Sequence, residues 1–207
     1  MIRPAQRRIY WSKNLLNKYK GGLITPAQMN AINSITADSA AGLNLVRFMS
    51  FQIEKADFED KMYYDWRIAH LHLDSTLSTK PHLQTNLVHF TERTGPILFV
   101  FHKDNGLYLL DIMPHGVAKP KVWGEKELVE ILHRDWPDII AGYRMTGFTK
   151  VHYNVESADE ILALRKAGVI YPITTFDGTI YRSFGGGLNS AGGSTTVVQW
   201  EIGRAHV

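Results

Sequence analysis

The chain contains no cysteine. That absence excludes disulfides, thiolate zinc sites and cysteine nucleophiles together. No apolar run approaches the roughly 20 residues that a membrane-spanning helix needs. The basic N-terminus, MIRPAQRRIYW, lacks the apolar stretch and cleavage pattern of a secretory signal. A cytoplasmic location without a membrane partner is the expectation. Internal repeats and low-complexity tracts are missing as well, and acidic residues are missing from the first twenty positions, which carry Arg3, Arg7, Arg8, Lys13, Lys18 and Lys20. What is present is ordinary for a globular chain: 207 residues, 44% hydrophobic and 21% charged. Such a chain can build one substantial core, or one core with a small helical appendage. The net charge of +3 is compatible with nucleic acid but too small to argue for it.

Periodicity divides the chain into a helical part and a mixed part. Ile9, Tyr10, Leu15, Leu16 and Tyr19, interleaved with the basic residues, suit an amphipathic helix that Gly21-Gly22 would end. Such a basic arm can lie on nucleic acid or on an acidic partner, or be no more than a solvated face. Thr25-Pro26 is an N-cap with proline at the first helical position. Asp57 is placed to cap a short helix before Trp66. Residues 1–66 therefore read as a helical N-terminal segment, and residues 67–201 as an α+β domain with an antiparallel sheet built on β-hairpins and flanking helices.

The strongest local signal in that domain is ILFVFHKDNGLYLLDIMPHG. Asn105-Gly106 between two apolar runs predicts a two-residue type I′ hairpin turn, in which both central residues take positive φ. That register sets Asp104 opposite Leu107, His102 opposite Leu109 and Val100 opposite Asp111. Phe99, Phe101, Leu110 and Ile112 would share one face, Leu98, Val100, Leu109 and Met113 the other. Both faces are apolar, so the hairpin belongs in the centre of the fold. RIAHLHL reads as a strand before it, DSTLSTKPHLQT as a polar loop and NLVHF as a short strand. Further on, Trp123 to Trp136 reads as a helix closed by Pro137, and Ser157 to Glu160 as a capping box for a helix stopped by Gly168. Asp177-Gly178 is a second hairpin signal.

Two segments near the C-terminus need separate readings. GGGLNSAGGSTTVV, with Gly186, Gly187, Gly193, Ser194 and Thr195, can offer backbone N–H groups and hydroxyls to a phosphate, or can simply be a turn into a helix. It is neither a Walker A loop nor GxGxxG. Ile202-Gly203-Arg204-Ala205-His206-Val207 is the translation of ATC GGA AGA GCA CAC GTC, the start of a common sequencing adapter. Residues 202–207 are expected to be foreign to the fold, with the natural chain running on past residue 201.

The candidate chemistry lies in the histidines. His70 and His72 alternate onto one face of a strand, and His115 stands just past the hairpin in Pro114-His115-Gly116. Three uses are open. Paired imidazoles with Arg67 and Lys103 as cations can cleave RNA without metal, one ring activating the 2′-hydroxyl and another protonating the leaving oxygen. The same three rings, with Asp74 or Asp111, can be a metal site. Or His70 and His72 pack against helix ends and do no chemistry.

The order IAHLHL followed by TGPILFVFHKDNGLYLLDIMPHG resembles the strand core of the barnase–EndoU–colicin–RelE-like ribonuclease group, which includes toxins and phage-borne nucleases. The likeness covers residues 67–116. It departs from the group in having no arginine-rich strand after the hairpin, and residues 120–200 have no counterpart in the small toxins. The resemblance implies a metal-independent, cofactor-free RNA-cleaving site around His70, His72 and His115, in a bacterial or phage toxin or defence protein. RNA as substrate and a protein antitoxin or inhibitor as partner are implied with it. The other class that fits is a non-enzymatic interaction or nucleic-acid-binding protein using its basic N-terminal helix.

Overall fold

The computed structural model describes residues 2, 4–50, 60–74, 76–81, 89–115, 121–124, 126–147, 157–167, 169 and 171–186. In chain order the elements are β1 (Arg8–Trp11), α1 (Lys13–Lys20), α2 (Pro26–Ala40), α3 (Lys61–Trp66), β2 (Ile68–His72), β3 (Leu77–Pro81), β4 (His89–Thr91), β5 (Pro96–Lys103), β6 (Gly106–Pro114), α4 (Glu127–Asp135), α5 (Pro137–Ile140), α6 (Ala158–Lys166), β7 (Ile173–Thr174) and β8 (Ile180–Tyr181). This is an α+β fold. It divides into two compact units, one of residues 1–60 and 69–120, the other of residues 61–68 and 121–207. No helix among the described residues is long and apolar enough to cross a membrane.

The first unit is built on a four-stranded sheet in the order β1-β6-β5-β2, with β3 and β4 as a separate pair. Its N-terminal segment is not wholly helical. Arg8–Trp11 forms β1 and runs parallel to β6, pairing Tyr10 with Tyr108 and Trp11 with Leu109. The helix expected over this stretch begins only at Lys13, because Ser12 caps it by accepting the Leu15 N–H at 2.9 Å. Partnering by β6 outweighs the helical spacing of Ile9 and Tyr10, which are β-formers in any case. Gly21 and Gly22 end α1 as the sequence suggests, and Thr25 caps α2 through a capping box with Gln28. Leu77–Pro81, expected to be loop, is a strand because β4 supplies it with an antiparallel partner.

The hairpin is present, with its register displaced. Its two turn residues are Asp104 and Asn105, and Lys103 lies opposite Gly106. Asp104 itself takes the left-handed conformation, φ 49°, which aspartate tolerates better than most residues. Gly106 is needed inside the strand, where an added Cβ would lie 2.5 Å from the Tyr108 ring. That ring stacks on Tyr10 with centroids 4.8 Å apart. His102 therefore pairs with Leu107 and Val100 with Leu109.

A second departure follows at once. Phe99 pairs with Asp111, so Leu110 is an extra residue, a β-bulge in β6. The bulge shifts the alternation, so Ile112 shares a face with Leu98 and Val100, and Asp111 with Phe99 and Phe101. Leu98, Phe99, Val100, Leu109 and Leu110 are nevertheless fully buried, as a hairpin covered on both sides requires.

The N-terminus of α1 holds this bulge in place. The Ser12 hydroxyl donates to the Leu110 carbonyl, and the Ser12 N–H donates to the Leu109 carbonyl at 3.0 Å. Lys18 Nζ reaches Asp111 Oδ1 at 2.7 Å and the Ile112 carbonyl at 2.8 Å. Asp111 is buried, so its charge would be costly without that ammonium.

In the second unit α3, α4, α5 and α6 accompany the hairpin of β7 and β8. Leu128, Ile131 and Leu132 of α4 are buried as their spacing predicts, and Pro137 both ends α4 and opens α5. The Ser157–Glu160 capping box starts α6. Asp177-Gly178 does make a hairpin, but with a three-residue loop. The Gly178 N–H bonds the Thr175 carbonyl, the Thr175 N–H bonds the Thr179 carbonyl, and only Gly178 takes positive φ. Asp65 and Arg165 form a buried pair at 2.6 Å, with the Tyr171 hydroxyl also on Asp65.

Lys18→Ala should lower unfolding stability by about 2 kcal/mol, since it takes the ammonium away from a buried carboxylate, leaving it the Ile112 N–H, and from the Ile112 carbonyl. Adding Asp111→Asn should recover part of that loss. Denaturant titration measures both. A shift as small as that of an ordinary surface change, under about 0.5 kcal/mol, would mean the pair does not hold the bulge.

Candidate functional site

β2 is buried along its whole length, and its alternation sends His70 and His72 to the same side. Their ring centroids are 6.2 Å apart. β6 ends at Pro114 opposite Pro96, which delivers His115 to the start of β5, and its ring centroid lies 5.7 Å from that of His72. The three rings therefore form one cluster in which His72 neighbours both of the others.

Each ring is set by a different neighbour. The Thr94 N–H donates to His72 Nδ1 at 3.3 Å. Thr94 is itself held, its hydroxyl accepting the Leu73 N–H at 3.1 Å and donating to the Pro96 carbonyl at 2.6 Å. With Nδ1 an acceptor, the proton of neutral His72 resides on Nε2. His115 has the opposite tautomer. Its Nδ1 faces the Gly95 carbonyl, which can only accept, so the neutral ring carries its proton on Nδ1 and its lone pair on Nε2. The Gly95 carbonyl also accepts the His115 N–H at 3.0 Å, which fixes the loop. His70 Nδ1 lies 3.3 Å from Asp60 Oδ2.

Burial separates the three roles further. His72 is 1% exposed and His70 8%, while His115 is half-buried. Desolvation, reinforced by the neighbouring charges of His70, His115 and Arg93, pushes the His72 imidazole down to about 3. It is neutral at physiological pH, so it cannot serve as an imidazolium acid there.

The structure gathers some of the expected site residues and not others. His70, His72 and His115 come together. Lys103 does not: it ends β5 at the hairpin turn, seven residues from Pro96, a separation of about 23 Å along a strand. The cation acting on His72 is instead Arg93, an exposed residue of the loop before β5. Arg67 belongs to the second unit, where its left-handed φ of 53° closes α3 and its N–H bonds the Tyr63 carbonyl at 2.8 Å. Among the described residues no three histidine or acidic side chains are arranged to hold a metal ion. Asp111, a candidate for that set, is engaged by Lys18. Of the glycine-rich segment only Gly185 and Gly186 are among the described residues. Gly185 donates to the Asp65 carbonyl at 2.9 Å, and an added Cβ would overlap the Tyr64 carbonyl, so this glycine serves close packing. Gly186 has φ 85°. Gly187, Gly193, Ser194 and Thr195, the tail 202–207 and Asp57 lie outside the described residues.

Sequence reasoning missed Arg93, Thr94 and Asp60. The run Arg93-Thr94-Gly95-Pro96, a loop punctuated by Gly-Pro just before the strongest strand, was the available signal for the first two. Nothing local marks Asp60. A further histidine in the second unit, His133, lies between Asp177 at 3.1 Å and the Tyr181 hydroxyl at 3.0 Å. Asp177 is held well below the usual carboxylate range, chiefly by the Thr179 N–H. Tyr181 is fully buried and both ring nitrogens of His133 are engaged, so this constellation ties β8 to α4 and leaves no group for chemistry.

No protein-family model matches the chain, and no curated protein or solved structure is significantly similar to it.

The displaced imidazole has a thermodynamic consequence. An unfolded histidine takes up its proton near 6.5, whereas His72 in the fold stays neutral to about 3. Between those values the unfolded state binds the extra proton, so stability falls with decreasing pH, by about 1.4 kcal/mol per pH unit from this residue. The cost is absent above 6.5 and complete below 3. His72→Phe should flatten the pH dependence of unfolding across that window; an unchanged slope would place the ring in water.

Proposed function

We propose that this chain is a metal-independent ribonuclease of the toxin or defence type, cleaving RNA by acid–base catalysis between His115 and His70. The observation that carries the reading is the convergence of three rings in different hydrogen-bonding surroundings, with His115 and His70 both beside a neutral His72. The two ring-to-ring separations bound the His70-to-His115 distance at their sum, about 12 Å, and the reading requires one phosphodiester to come within hydrogen-bond reach of both rings. His115 Nε2 takes the proton of the 2′-hydroxyl, and the freed oxygen attacks the adjacent phosphorus. The bond to the 5′-oxygen breaks, and that oxygen takes a proton from His70, whose Nδ1 lies 3.3 Å from Asp60. The products are a 2′,3′-cyclic phosphate and a 5′-hydroxyl, and proton return between the rings resets the site. Arg93 supplies positive charge where the phosphorane forms.

His70→Ala and His115→Ala should each lower RNA cleavage by on the order of 10²-fold, the usual scale for a lost acid or base. A chelator should leave the activity intact. Cleavage abolished by the chelator would point to a metal enzyme instead.

The depth of His72 favours a second reading: the cluster is a buried knot, and the chain acts by binding. Arg8, Lys13 and Lys20 are exposed near the N-terminus and offer a surface to RNA or an acidic partner such as an antitoxin. A purified chain that retards RNA without cleaving it would establish this reading in place of the first.

A further inference from the structure

We propose that His72 is a binding residue for a phosphate oxyanion, which it holds through its neutral Nε2–H with help from the Arg93 guanidinium. The inference rests on the phosphodiester reading for its biological ligand, but its evidence is separate. His72 Nε2 is buried, and among the described residues it has no hydrogen-bond partner. A buried donor left unmade costs about 1–3 kcal/mol, so such an atom calls for an occupant. The Thr94 N–H engages Nδ1, which leaves Nε2 as the protonated nitrogen and therefore a donor. A donor cannot ligate a metal cation; its partner must accept.

The surroundings select a negatively charged acceptor. The charges acting on His72 come from His70, His115 and Arg93, all cationic when charged. Because the ring remains neutral at working pH, its N–H provides a fixed dipole whose strength does not change with pH, as an imidazolium would. A tetrahedral phosphate oxygen on Nε2, with the guanidinium on a second oxygen, meets both requirements. In the acid–base reading, His70 and His115 exchange protons with the same group.

Nitrogen-15 NMR of the full chain labelled at histidine tests this, with inorganic phosphate and a nucleoside 3′-monophosphate as separate probes. Before ligand is added, one ring should show a neutral Nε2–H form that persists through pH 5 to 7, in keeping with an imidazole displaced to about 3. Each probe should move that resonance saturably. Arg93→Ala, a change at an exposed loop position, should weaken phosphate binding by roughly tenfold to a hundredfold, the scale of a charge-assisted hydrogen bond. His72→Phe should abolish it, and if that variant fails to fold, the wild-type resonance and the Arg93 variant decide. Tighter binding of the nucleotide identifies the phosphodiester backbone as the ligand; equal binding identifies free phosphate. A His72 Nε2 resonance unmoved by either probe overturns the proposal, even if the protein cleaves RNA. Saturable binding by a protein that cleaves no RNA upholds it and overturns the nuclease reading alone.

Discussion

The buried carboxylate of Asp111 and the ammonium of Lys18 meet at the one place where the central hairpin breaks its own alternation. The bulge at Leu110 leaves a carbonyl without a ladder partner and turns an acidic side chain into the interior. Ser12 and Lys18 answer those two demands from one short helix, so α1 owes its position to the bulge and the bulge its stability to α1. The same irregularity sets the phase of β6 beyond it. Pro114 consequently lies opposite Pro96, and His115 arrives beside Gly95 rather than one residue away on the other face. A one-residue slip reverses every side chain of a strand. The geometry of the histidine cluster thus traces back to an ion pair that is not itself part of it.

The cluster shows how environment assigns roles to chemically identical groups. Three imidazoles have the same intrinsic properties, yet a backbone N–H, a backbone carbonyl and a carboxylate give each a different partner. The two backbone partners, Thr94 and Gly95, lie just before β5, where the chain is outside the ladder and its polar groups become available, and Asp60 comes from the residue before α3. Burial does the rest for His72, the ring with the least exposure. His133 in the second unit makes the contrast: with Asp177 and Tyr181 on its two nitrogens it is saturated, and saturation is what marks a structural histidine.

Much of this was legible in the residues themselves. Helix caps at Thr25 and Ser157, the stop at Gly21-Gly22, the α+β class, the buried hairpin and the shared face of His70 and His72 all follow from local chemistry: a hydroxyl before a helix, an apolar run on both sides of an Asx-Gly turn, a period of two. These features concern residues close in sequence, whose energetics a short window contains. The sequence alone also brought His115 into the argument, because a strand end presents its next residue from a loop.

What tertiary structure decided lay where distant segments compete for the same backbone. Arg8–Trp11 carries a pattern that suits a helix in isolation and becomes a strand only because β6 offers it hydrogen bonds. The turn moved by one residue because the Tyr108 ring lies over Gly106, a contact bound up with Tyr10 a hundred positions away. Lys103 was separated from the histidines by the full length of β5, and Arg93 took its place through a loop whose neighbours are set by β5 and β6 together. Residue types and local periods are properties of the chain. Register, bulges and the partners of each ring depend on which surfaces meet, and that is settled only when the sheet closes on its long-range pairs.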